Sequence, residues 1–65
     1  MSPRVPSLAE IEETVTRMEE RYSDHPLFAD YERLRARFDM DLTDARDRAL
    51  ARSAALMLIK YEIEG

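Results

Sequence analysis

The chain has 65 residues, a formal net charge of −4 and no cysteine. It is therefore one domain, near the lower size limit for a self-supporting core, with no disulfide, thiol chemistry or cysteine-bound zinc to reinforce it. Charged residues make up 37% of the sequence, but apolar residues make up 45% and recur at helical spacing. This excludes a disordered chain and predicts a single all-α domain over residues 1–65.

No segment approaches the roughly 20 apolar residues of a membrane span, and Met1 to Ala9 carry no apolar run suited to a secretory signal. The expectation is a soluble, cytoplasmic protein without membrane association. Charge is uneven along the chain. Residues 1–32 hold eight acids against three bases, 33–52 hold six bases against four acids, and 53–65 hold two acids against one base. The acidic first half disfavours direct DNA binding, which needs many Lys or Arg to replace condensed counterions. Opposite charges facing each other on neighbouring helices, or keeping the surface solvated, account for the distribution.

The first predicted helix spans residues 8–23. Ser7-Leu8-Ala9-Glu10 has the form of a capping box, and Leu8, Ile11, Val15, Met18 and Tyr22 draw a narrow apolar seam at spacings of 3, 4, 3 and 4. Pro26 stops this helix and disfavours helical geometry at His25. It then suits the first position of a second helix over 26–38, where Leu27, Tyr31, Leu34 and Phe38 form a stripe widened by Phe28. Residues 39–43 supply the next turn, with Asp41 or Thr43 as the following N-cap.

The third helix is predicted over 43–62 and contains the apolar run Ala54 to Ile59. At about 100° per residue that run goes all the way round the helix, and the apolar residues sort onto two opposed faces. Leu50, Ala51, Ala54, Met57, Leu58 and Tyr61 form one. Ala45, Ala49, Leu56, Ile59 and Ile63 form the other, with Arg52 filling a gap in its spacing. Short connections make successive helices antiparallel, so Val15, Met18, Tyr22, Leu27, Phe28 and Tyr31 lie beside the C-terminal half of the third helix and cover one face of it. The fold expected is a three-helix bundle, or helical hairpin with a long C-terminal helix, that forms a homodimer. The face of Leu50 and Met57 is expected to be the core. Ala45, Ala49, Leu56, Ile59 and Ile63 are expected to form the isologous contact. The competing arrangement is a self-contained bundle in which the two short helices straddle the third.

Residue types that carry chemistry are sparse. His25 beside Asp24 lacks a companion nucleophile or oxyanion site, so it reads as a turn residue before Pro26. Asp39, Asp41 and Asp44 do not make a calcium loop, because an EF-hand needs Gly and Glu where this chain has Asp44 and Leu50. No catalytic residue, cofactor or metal is expected. Arg33, Arg37 and Arg48 could form a basic patch for a nucleic-acid adaptor, although neither stacking aromatics nor a helix-turn-helix accompanies them. Glu12, Glu13, Glu19 and Glu20 line the outward side of the first helix as an acidic partner-binding face.

These features together predict a small acidic helical interaction module, not an enzyme, that dimerises and binds a protein partner by occupying its surface. The alternative is an acidic inhibitor or nucleic-acid mimic acting on a nucleic-acid-processing complex through a basic surface of a nucleic-acid-binding protein. Small acidic inhibitors encoded by mobile elements are similar in size and charge, a resemblance of class that no motif carries.

Overall fold

The capping signal at Ser7 is realised at the start of α1 (Leu8–Tyr22). The Ser7 hydroxyl oxygen accepts the Glu10 backbone N–H at 3.3 Å, and the same hydroxyl donates to the Glu10 carboxylate at 3.3 Å. The structure is a computed structural model that describes residues 5–65. The expectations of one domain from residue 1 and of no leader in Met1–Ala9 reach into residues 1–4, which lie outside the described residues. All three described elements are helices.

A tight turn separates α1 from α2 (Phe28–Asp41), which starts two residues later than predicted. Pro26 and Leu27 belong to the turn. Phe28 N–H bonds to the His25 carbonyl at 2.9 Å and Ala29 N–H to the Pro26 carbonyl at 3.3 Å, in three-residue steps tighter than an α-helix. The helix also ends three residues later than predicted, because nothing at Asp39 or Met40 breaks it. It stops where Leu42 turns extended, with its N–H on the Phe38 carbonyl at 2.9 Å.

The third helix, α3 (Ala45–Glu64), is capped by Asp44 rather than by Asp41 or Thr43. The Asp44 carboxylate accepts the Arg46 N–H at 3.1 Å, and the helix start moves two residues beyond the predicted one. Arg48 steadies the preceding connection by donating to the Leu42 and Thr43 carbonyls at 3.1 and 3.2 Å. At the far end Gly65 takes a φ of 74°, a left-handed conformation that suits glycine, and its N–H closes on the Tyr61 carbonyl at 2.9 Å.

Side-chain ties fix the directions of the helices. Arg46 at the start of α3 donates to the Pro6 carbonyl at 3.1 Å, while Arg21 at the end of α1 donates to Glu64 at 3.1 Å. Helices α1 and α3 therefore run parallel, with α2 antiparallel between them in sequence. Both α1 and α2 pack on α3, and their backbones scarcely approach each other. This arrangement realises the three-helix bundle and places the core around α3. From α1 come Ile11, Val15 and Tyr22; from α2, Phe28 and Tyr31 with rings 5.2 Å apart; from α3, Ala49, Ala55, Leu56 and Ile59. Leu56 and Tyr31 are fully buried.

The shape is flat. Its extents are 38 × 29 × 16 Å and its radius of gyration is 12.3 Å, against about 10.7 Å for a compact chain of this length. Helices that gather on one side of α3 leave the other side uncovered.

Leu56 is fully buried in the core that forms where both short helices pack on α3, and its truncation tests that assignment. Leu56→Ala is expected to cost about 3 kcal/mol in urea unfolding, close to the whole stability a core of this size supplies. A cost below about 1 kcal/mol would place the core elsewhere.

Candidate functional site

The outer face of α3 carries an exposed apolar stripe. Leu50, Met57, Leu58 and Tyr61 are exposed by 46, 38, 67 and 65% of their surface, and Ala54 lies exposed among them. These residues occupy the sector opposite Leu56, which faces α1 and α2. At such exposures the stripe leaves roughly 450 Å² of apolar surface in water, within the range of the largest patch a monomer normally shows. Scattered apolar side chains are ordinary on protein surfaces. Here they form a contiguous row along one helix.

The two faces read from the sequence are thus both present, with their roles exchanged. Of the residues expected at the dimer interface, Ala49, Leu56 and Ile59 are buried within the single chain and Ile63 packs on the same core; only Ala45, at the start of the helix, is exposed. Arg52 explains the exchange. Its stem and its unpartnered Nε lie along the buried side of α3, while Nη2 at the tip donates to the Asp39 carboxylate of α2 at 2.6 Å. An arginine can therefore occupy a gap in a core stripe. Asp47 falls on the exposed stripe, and its short side chain has no such reach. The charge that identified the solvent side was Asp47, not Arg52.

The predicted acidic face is divided. Glu12, Glu13 and Glu20 are exposed, with Glu13 paired to Arg17 one turn along. Glu19 is only 22% exposed and turns toward α2, where its carboxylate accepts the Tyr31 hydroxyl and, at 3.2 Å, the Arg35 guanidinium. It braces α1 against α2 rather than facing a partner. The predicted basic patch is also dispersed. Arg33 and Arg37 are exposed on α2 beside Asp30 and Asp41, whereas Arg48 is spent on the two carbonyls before α3. His25 is a turn residue, its Nδ1 accepting the Leu27 N–H at 3.1 Å. It lies in an open groove with Arg21, Tyr22 and Glu64 at the C-terminal end of the bundle. Among the described residues no group of His, Asp and Glu is placed to hold a metal, and no helix is long and apolar enough to cross a membrane.

Two buried phenols complete the polar framework. Burial pushes the Tyr31 phenol well above its usual range, helped by its hydrogen bond to Glu19 and by that carboxylate's charge, with Arg52 and Arg35 opposing. Tyr22 is raised first by its hydrogen bond to Glu64 and then by burial. Glu64 is correspondingly lowered by the Tyr22 hydroxyl and by Arg21. The folded state keeps the Tyr31 proton at a pH where the unfolded chain, with its phenol near 10.0, has released it. The folded state then binds more protons, so this contribution is complete below pH 10.0 and is lost as pH rises above it.

Urea titrations from pH 8 to 11 are therefore expected to show stability falling above pH 10.0, with Tyr31 contributing up to about 1.4 kcal/mol per pH unit. Tyr31→Phe should lower stability at pH 8 by about 1 kcal/mol and flatten the alkaline decline. An unchanged slope in the variant would remove Tyr31 from this role.

Comparison with protein families, with curated proteins and with solved structures finds no match to the chain.

Proposed function

We propose that this chain is a small interaction module that forms a homodimer through the outer face of α3 and acts by occupying the surface of a protein partner, without catalytic turnover. The observation that carries the reading is the stripe of Leu50, Ala54, Met57, Leu58 and Tyr61, left in water by a fold that gathers both short helices on the opposite side of α3. Two copies joined along it would withdraw roughly 900 Å² of apolar surface, which with a polar rim reaches the roughly 1,000 Å² of a small specific interface.

The polar groups support a binding role. His25 is engaged by the Leu27 amide, Glu19 by Tyr31 and Arg35, and Arg48 by two carbonyls, so each serves the fold. Glu20 of α1, exposed on the far side from its core residues, is placed for contact with a partner. Acidic mimicry of nucleic acid draws less support, because Glu19 leaves the row of carboxylates and Arg17 neutralises Glu13.

Sedimentation at micromolar concentration is the direct test. The unmodified chain is expected to sediment as a dimer, and Leu58→Glu as a monomer that keeps its helical circular dichroism. Ile59→Glu, on the buried side, should abolish the helical signal. A native chain that stays monomeric across that range would defeat the dimer. So would a Leu58→Glu protein that remains dimeric.

A further inference from the structure

Resting on the dimer just proposed, we infer that the two copies pair antiparallel, with a twofold axis passing beside Ala54. About that residue the stripe complements itself, with leucine matched to leucine, a small side chain to a large one and an acceptor to a donor. Leu50 and Leu58 lie four positions to either side of Ala54, Ala51 and Met57 three, and Asp47 and Tyr61 seven. All belong to one helix, and the larger apolar members are exposed.

Antiparallel pairing about that axis sets each residue beside its counterpart. Leu50 meets Leu58 of the partner subunit, Met57 meets the small Ala51 of the partner subunit, and Ala54 meets its own copy at the point of closest approach. Large faces small at that offset, and the leucines lie side by side across two helices that run nearly along each other. The ends match as well. Asp47 is an exposed acceptor and the Tyr61 hydroxyl an exposed donor, so each end of the interface gains a charge-assisted hydrogen bond. Parallel pairing would instead set Asp47 against its own copy and bulky Tyr61 against its own, joining like charges and leaving both donors without that acceptor.

The same symmetry chooses the occupant. A face shaped for an unrelated protein has no reason to complement itself about its own centre, whereas an isologous contact requires it. Ala54 is the residue on which the symmetry turns. Helix axes about 10 Å apart, each with Cα atoms about 2.3 Å from the axis, leave about 5.4 Å between the two copies of position 54, within disulfide range.

The chain has no native cysteine, so single cysteines report the orientation without background. In a glutathione redox buffer, Ala54→Cys is expected to form a covalent dimer at least tenfold more than Glu13→Cys, which lies outside the stripe. Leu50→Cys mixed with a mass-tagged Leu58→Cys should give the mixed disulfide in excess over either self-pair. Self-pairs of Leu50→Cys and of Leu58→Cys in excess would overturn the antiparallel arrangement, while leaving the dimeric module standing if the unmodified chain sediments as a dimer. A monomeric unmodified chain, together with a covalent-dimer yield from Ala54→Cys no higher than that from Glu13→Cys, would overturn both.

Discussion

Burial of Leu56 between α1 and α2 is the contact on which the rest of the structure depends. The two short helices hardly touch through their backbones, so each owes its place to α3 and each must lie where Leu56 can reach it. That requirement draws both to one side. Ala49 and Ala55 share the core with side chains small enough for close helix approach, and Tyr31 contributes to it from α2. Among the described residues no further helix covers the remaining face. Exposure of Leu50, Leu58 and Tyr61 is thus a geometric consequence of how Leu56 is buried.

Polar contacts then fix what apolar burial leaves adjustable. Hydrophobic contact is non-directional and would allow α1 to slide along α3. Arg46 on the Pro6 carbonyl and Tyr22 with Arg21 on Glu64 hold it at both ends. Between α1 and α2 the register rests on Glu19, which serves Tyr31 and Arg35 together, and between α2 and α3 on Asp39 with Arg52. These pairs are partly exposed, and each contributes modestly to stability. Their value is in selecting one arrangement among several that would bury similar area.

Much of this was legible in the sequence. Helix number, the Ser7 cap, the turn at His25 and the two faces of α3 all follow from periodicity and local hydrogen-bonding chemistry, which depend on near neighbours. Helix ends were less legible. At the α2 to α3 connection Asp39, Asp41, Thr43 and Asp44 are all competent to cap or to continue, and local chemistry alone does not single out Asp44. The inward turn of Glu19 was hidden for a related reason. It lies at the border of the α1 seam, and only the position of Tyr31 on another helix draws it in. The exchange of the two faces of α3 was decidable in principle, because an aspartate cannot snorkel from a buried stripe as an arginine can. Asp47 and Arg52 carry that distinction in their stem lengths.

The two faces of α3 make folding and association draw on one element. A core of this size rarely supplies more than about 3–5 kcal/mol of net stability. In the proposed dimer the apolar surface of the outer face of α3 is withdrawn from water as well. Association would then raise resistance to unfolding with protein concentration, since the dimer binds only the folded form. It would also protect the Tyr22 and Glu64 closure indirectly, because that closure sits on the last turn of the helix, one turn beyond Tyr61. A substitution on the outer face of α3 can therefore loosen the end of α1 without touching it.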